Sequence, residues 1–251
     1  MRLHVIGYKG IVGGATYELF RGLGYDVVGS DKDDPILPAD VYFVCVPEGT
    51  VAEVVESIKK FAIDAHYTTV EWAKGLRANW KSLVVIRSSV VPGTCKRLWD
   101  GPTHICHNPE FLREAIAIQD EFSPARIVIG QCCEKHGEVL KNLYRPLRVP
   151  IVLTDPTTSE LVKLASNNYF STVISYWNSV EEIAKRVGVS GHQVGMIASM
   201  DPRISPYGAR FHGKYGGRCL PKDAQQLIKF SESIGYDPIL IKVVEEVNNS
   251  L

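Results

Sequence analysis

The stretch Gly216-Gly217-Arg218-Cys219-Leu220-Pro221-Lys222-Asp223 sets one cysteine between a glycine pair and a Pro-Lys-Asp that opens an amphipathic run. Pro221 suits a first helical position, so Cys219 is expected just before a helix N-terminus. There the helix dipole and Lys222 favour the thiolate. The glycines, Gly216 among them, let the backbone come close to a bound ligand. This is a setting for a cysteine nucleophile; a buried cysteine at a helix start is the plainer reading of the same residues. A second set lies in Glu160-Leu161-Val162-Lys163-Leu164-Ala165-Ser166-Asn167, where Lys163 and Asn167 are four apart and share a helix face. Turned to a ligand, they would polarise an alcohol or hold an oxyanion. Turned to water, they are an ordinary solvated face.

The third set opens the chain. Leu3-His4-Val5-Ile6-Gly7 reads as a strand, Ala15 to Leu23 as a helix, and Gly24 to Asp31 as a second strand. Gly10 and Gly13 fit the second and third glycines of G-x-G-x-x-G, with one residue extra after Gly7. Such a turn rests a pyrophosphate on the helix N-terminus, at Ile11 and Val12, while Asp31 accepts from the ribose hydroxyls.

These sets need elements to position them. The 251 residues suffice for one large domain or two smaller ones, and 45% hydrophobic content supports a core. Formal net charge is zero, which argues against a nucleic-acid partner, and no apolar run reaches membrane-spanning length. The N-terminus does not read as a signal peptide. Cysteines 45, 95, 106, 132, 133 and 219 show no CxxC or finger spacing, so neither a disulfide framework nor a metal site is expected, and a reducing cytoplasm is the default compartment.

Alternation continues after Asp31. Asp40 to Pro47 reads as a buried strand, Thr50 to Phe61 as a helix, and Ser82 to Ser88 as a strand; Arg126 to Gly130 and Pro150 to Thr154 read as further strands with a helix between them. Strand and helix repeated in this way predict an α/β domain, a Rossmann-like doubly wound and mainly parallel sheet, over 1–155. From Thr157 to about Val187 there is neither Pro nor Gly, and apolar residues recur at helical spacing. This predicts a helix of some thirty residues opening a smaller all-helical domain over 156–251.

Taken together, the motifs resemble those of the UDP-glucose/GDP-mannose 6-dehydrogenase family. The matching stretches are Val5-Ile6-Gly7, Val27 to Asp31, Val44 to Pro47, Ser88 to Thr94, Asn108 to Glu114, Arg126 to Gly130, Glu160 to Asn168, Asp201 to Ile204 and Tyr215 to Asp223, in the family's order. The resemblance implies NAD as cofactor and a nucleotide sugar or other anionic sugar as substrate. It implies two oxidations of a C6 alcohol to a carboxylate, through a thiohemiacetal and a thioester on cysteine, with a place in polysaccharide biosynthesis. By motif match Cys219 is the nucleophile, Lys163 with Asn167 holds the oxyanion, and Asp223 activates water. Glu110 is the carboxylate of thioester hydrolysis, and Ser89 stands where the family has a water-holding threonine. Val46, Pro47, Ser89 and Glu114 join the glycine turn and Asp31 against the cofactor. Phe111, Leu112, Arg210 and Lys214 join Glu110, Lys163, Asn167 and Gly216 against the substrate. The resemblance also implies a homodimer through about 160–185.

Four departures from the pattern stand out. The connection Lys32 to Ala39 is shorter than the family's by tens of residues. Val46-Pro47-Glu48 replaces Val-Pro-Thr-Pro. Arg218 replaces a serine. The nucleotide-gripping third domain has no counterpart, which leaves Arg203, Arg210, Lys214 and Arg218 as the cations expected to grip a phosphate. Two other functions stay open at this stage: a two-electron β-hydroxyacid-type dehydrogenase using Lys163 alone, and a non-catalytic NAD-binding partner subunit.

Overall fold

The computed structural model describes residues 1–68, 83–210 and 213–251, with the backbone alone for 62–68 and 210. The chain divides into two units, residues 1–163 and 164–251.

The first unit is a seven-stranded sheet. Its strands are β1 (Arg2–Ile6), β2 (Asp26–Ser30), β3 (Val41–Val44), β4 (Leu83–Ile86), β5 (His104–His107), β6 (Ile127–Gly130) and β7 (Ile151–Thr154), in the order β2-β1-β3-β4-β5-β6-β7. Every described ladder is parallel except β5–β6, where His107 faces Gly130 in antiparallel register. β3, β4 and β6 are four-residue strands buried along their whole length. They can be apolar at each position because helices cover both faces of a parallel sheet.

Alternation along the strands sorts two cores. Leu3, Val5, Val41, Phe43, Leu83, Val85 and Cys106 point to one face, against Leu19 and Phe20 of α1 (Ile11–Gly22) and Leu140, Leu143 and Tyr144 of α5 (Glu134–Tyr144). Ile6, Tyr42, Val44, Val84, Ile86 and Ile105 point to the other, against Val51, Val55 and Ile58 of α2 (Glu48–Thr68). Fully burying a side chain such as Phe20 contributes about 1.5–3 kcal/mol. The expected doubly wound sheet is therefore present. Residues 32–40 form neither helix nor strand, and β2 is the sheet's edge. The helices begin earlier than the apolar pattern suggested, α1 at Ile11 and α2 at Glu48, because first turns carry little apolar signal.

Short helices α3 (Thr94–Leu98) and α4 (Ala117–Phe122) complete this unit, together with the first turns of α6 (Pro156–Arg186). The expected boundary at 155/156 precedes the observed division by eight residues. Those turns are bound to the sheet. His107 Nε2 lies 3.3 Å from the Ser88 carbonyl, which only accepts, so that nitrogen carries the proton and Nδ1 accepts from Ser159 at 2.9 Å. Glu160 accepts from the Gly93 and Cys95 N–H groups at 2.5 and 2.8 Å, supplying α3 with the N-terminal acceptor that Gly93 lacks.

The second unit holds the rest of α6 with α7 (Gly191–Ala198), α8 (Leu220–Ser233) and α9 (Ile239–Asn249). The predicted long helix is 31 residues. Ser175 of α6 donates to the Val244 carbonyl of α9 at 3.2 Å, and Trp177 is buried.

Candidate active site

The glycine turn is built as its spacing suggested. Gly7 has φ +87°, and a side chain there would overlap the Cys45 carbonyl. A Cβ on Gly13 would overlap the Gly7 carbonyl, so the α1 N-terminus can lie against β1 only if that position is bare. Gly10 precedes α1 and no side chain caps the helix, leaving the N–H groups of its first turn, from Ile11 and Val12 onward, to meet an anion. Asp31 follows β2. Its carboxylate accepts from the Lys9 N–H at 3.2 Å and the Lys32 N–H at 2.8 Å, which sets it beside the turn. These residues fit a dinucleotide: a bare anion-binding helix end, close backbone, and an acceptor for a diol. Val46 and Pro47 follow β3, and Ser88 Oγ donates to the Val46 carbonyl at 2.5 Å, tying the turns after β3 and β4 together. Ser89 and Glu48 are half-buried, while Pro47 and Glu114 are exposed.

Glu110 and Lys163 meet in this unit. The carboxylate of Glu110 is 9% exposed, accepts from Lys163 Nζ at 2.9 Å and from the Leu112 N–H at 2.7 Å. Burial raises its pKa, but Lys163 and the Leu112 N–H outweigh that and hold it below the usual carboxylate range. Lys163 Nζ also lies 5.6 Å from the centre of the Phe111 ring, whose face is covered at 4.1 Å by Arg126. The loop carrying Glu110 is set by a buried network that sequence reading missed. Arg87 donates to both Glu121 oxygens at 2.7 and 2.9 Å, to Asn108 Oδ1 at 2.7 Å and to the Tyr144 hydroxyl at 2.7 Å. Asn108 Nδ2 donates to the Val128 carbonyl at 2.7 Å. Arg87 ends an apolar strand, and nothing in its local sequence marks it as buried.

In the second unit Asp223 is wholly buried and accepts from Asn167 Nδ2 at 2.6 Å. Lys222 Nζ stands 2.6 Å from its other oxygen. That contact directs the Lys222 charge to Asp223, where the sequence reading had aimed it at the thiol. Cys219 precedes α8 with Pro221 in the first turn, as predicted, and is the exposed cysteine of the six. Cys45 is half-buried as a residue, but its thiol is enclosed and pushed up to about 12 by burial. Burial and Glu160 raise Cys95 well above the ordinary value. Gly216, Lys214 and Arg218 are exposed. Gly213 exchanges hydrogen bonds with Asn178 at 2.9 and 3.1 Å, and the Tyr215 N–H donates to Asn248 at 2.9 Å, so the loop before Cys219 is anchored on α6 and α9. Arg203 is exposed and pairs with Asp201 at 2.6 Å; the side chain of Arg210 lies outside the described residues.

The structure also gathers His104, Cys132, Cys133 and His136, with ligand atoms within 4.8 Å of one another. Spacing had suggested no metal set, because Cys132, Cys133 and His136 match no finger spacing and His104 lies 28 positions from Cys132. Among the described residues, no helix is long and apolar enough to cross a membrane.

Residues 33–148 match the NAD binding domain of the UDP-glucose/GDP-mannose dehydrogenase family, and residues 157–250 match its central domain. UDP-glucose 6-dehydrogenase AglM of Haloferax volcanii is 30% identical over 307 aligned positions, covering 99% of this chain and 70% of its own length. UDP-glucose 6-dehydrogenase YwqF of Bacillus subtilis is 36% identical over 180 positions, covering 68% of this chain and 41% of its own length. The chain thus spans 41% and 70% of these two relatives. The solved UDP-glucose dehydrogenase of Pyrobaculum islandicum superposes with a TM-score of 0.84 at 28% identity, over 99% of this chain and 68% of that one. GDP-mannose dehydrogenase of Pseudomonas aeruginosa gives 0.70 at 25%, over 100% and 69%. The glycine turn and Asp31 agree with NAD as the family's cofactor. By both matched domains and by the likeness to AglM over nearly its whole length, this chain belongs to the UDP-glucose/GDP-mannose dehydrogenase family.

Proposed function

We propose that the chain carries the catalytic residues of a nucleotide-sugar 6-dehydrogenase that converts a C6 alcohol to a carboxylate in two oxidations. The observation that carries this reading is Cys219, an exposed cysteine at a helix start, in a unit that also buries an Asn–Asp pair. NAD, held by the turn from Gly7 to Gly13 and by Asp31, supplies the hydride acceptor for each oxidation.

The chain's own residues do the rest. Lys163 has three donors and gives one to Glu110, so its ammonium can also stabilise an alkoxide as the alcohol loses its proton. The Cys219 thiolate adds to the aldehyde carbon, forming a C–S bond and a thiohemiacetal, which keeps the aldehyde from leaving. The second oxidation leaves a thioester. Water, deprotonated by Asp223 or Glu110 and held by Ser89, attacks the acyl carbon; the C–S bond breaks and the thiolate returns. Each turnover consumes one alcohol, two NAD⁺ and one water and yields one carboxylic acid, two NADH and two protons, which pass to buffer.

Nucleotide sugar is the substrate class, since the relatives are named for UDP-glucose and GDP-mannose. Lys214 and Arg218 are exposed cations in the loop before Cys219, suited to a phosphate. The chain pairs with a second copy through α6: Tyr169, Tyr176 and Ile183 are 51%, 59% and 62% exposed at spacings of seven and seven. It works in the cytoplasm, where thiols stay reduced. The deciding experiment is an NADH-release screen over UDP- and GDP-sugars and simple sugar phosphates. Two NADH per sugar with acid product supports the reading. One NADH per substrate, with a ketone product, points to β-hydroxyacid-type chemistry, and NAD binding without turnover to a partner subunit.

A further inference from the structure

Four side chains that this chemistry leaves unused meet at the opposite end of the parallel strands from the glycine turn. Gly7 and Ser88 follow the C-terminal ends of β1 and β4, whereas His104 starts β5, which runs parallel to them. Cys132 and Cys133 follow β6, and His136 lies in the first turn of α5. The antiparallel ladder brings them together. From the pair His107–Gly130, three residues back along β5 and three forward past β6 set position 133 across from His104.

The distances suit a single ion. Cys132 Sγ lies 3.6 Å from His104 Nδ1 and 3.5 Å from His136 Nδ1, and Cys133 Sγ lies 3.1 Å from His136 Nδ1. Zinc bonds of about 2.3 Å to sulfur and about 2.0–2.1 Å to nitrogen, at tetrahedral angles, give S···N edges of about 3.6 Å. Two of the three separations already have that length. All four residues are half-buried, so an ion can enter from solvent. Cys106 is fully buried and donates its S–H to Cys132 Sγ at 3.6 Å, while the Cys132 N–H reaches back to Cys106 Sγ at 3.3 Å. Outer contacts of this kind orient a ligating sulfur.

We propose that His104, Cys132, Cys133 and His136 form a structural site for one divalent metal ion, with zinc the ion that a two-thiolate, two-imidazole donor set favours. Four protein donors close a tetrahedron, so the site holds structure and leaves no open position for chemistry. It clips the start of β5 to the start of α5, where the sheet reverses direction and a single residue pair marks the ladder. Binding forms two metal–sulfur and two metal–nitrogen bonds, and each thiol that is still protonated loses its proton to buffer; no electron is transferred.

The test is zinc and cobalt titration of the reduced, metal-stripped chain against a chromophoric chelator. One equivalent should bind, cobalt should show tetrahedral visible bands with a thiolate charge-transfer band, and zinc should raise the melting temperature. Cys133→Ser and His136→Gln should each weaken zinc binding at least about tenfold, a loss of about 1.4 kcal/mol, while Cys219→Ser should not. Should those variants fail to fold, the unmutated chain still reports: zinc must protect Cys132 and Cys133 from alkylation and leave Cys219 labelled. Absence of stoichiometric binding would overturn the proposal. So would unchanged affinity in both ligand variants, protection of other cysteines, or a disulfide at Cys132 in protein kept under reductant.

Discussion

Helix α6 carries Lys163 and Asn167 one turn apart, and each holds a buried carboxylate of its own unit. Glu110 receives the full charge of a lysine whose side chain is 3% exposed, plus a backbone N–H. Asp223 receives a neutral amide, and its cation is Lys222, whose side chain is 46% exposed. The first pair is sealed, so its loss strands a charge away from water. The second pairs a buried carboxylate with a solvent-screened cation. The two acids look alike in sequence and differ in what neutralises them.

Removing each lysine in turn should separate the two pairs most widely. Lys163→Met leaves Glu110 unpaired and buried, and should lower unfolding free energy by about 3–5 kcal/mol. Lys222→Met removes a half-exposed, solvent-screened cation from a carboxylate that keeps the Asn167 amide, and should cost less, about 1–3 kcal/mol. Denaturant melts of both variants measure the two losses; equal values would mean that the two carboxylates are neutralised alike.

Acid should find the first unit next. Burial holds His107 down to about 3, against the opposing Ser88 contact and with help from Lys163 and Arg87. Burial also lowers His4, a neutral core histidine. Both bind protons more readily unfolded, so their contribution is complete above about pH 6.5 and falls as pH drops toward the folded values, by up to about 1.4 kcal/mol per pH unit for each. Glu110, lowered in the fold, adds a loss of the same sign as pH falls from the ordinary carboxylate range through its folded value. Urea melts from pH 8 to pH 4 should show this slope, and His107→Gln should flatten it. An unchanged slope in that variant would assign the acid sensitivity elsewhere.

Asn167→Ala tests the second pair from its other side. It removes the donor to a buried carboxylate oxygen and should cost about 1–3 kcal/mol, less than Lys163→Met. The smallest effect concerns the cofactor. Asp31 repels a 2′-phosphate, so NAD should bind at least about tenfold more tightly than NADP, a difference of about 1.4 kcal/mol. Calorimetry giving equal or tighter NADP binding would remove Asp31 from that role.

The sequence disclosed the features whose signal is local. The glycine turn, α6 and the Pro221 start of α8 each follow from residues within one or two turns of each other, and the fold keeps them. Four-residue apolar strands were equally visible, because both faces of the sheet are covered. What stayed hidden was assembled by topology. Arg87 meets Asn108, Glu121 and Tyr144 across 21, 34 and 57 positions, and His104 meets Cys132 across 28. No spacing rule spans an antiparallel ladder whose existence is unknown. The unit boundary moved into α6 for a similar reason: Ser159, Glu160 and Lys163 bond to partners 52, 67 and 53 residues away, and no break in the helical pattern records it.

The central claim is that Cys219 becomes covalently acylated during turnover. The direct measurement is peptide mass spectrometry of the chain quenched in acid during reaction with NAD and a nucleotide sugar. The account predicts a sugar-acyl mass on the peptide bearing Cys219, released by hydroxylamine, with Cys219→Ala forming no acid yet still binding NAD. Acid production at an undiminished rate by Cys219→Ala, or an acyl group on any other cysteine, would contradict it.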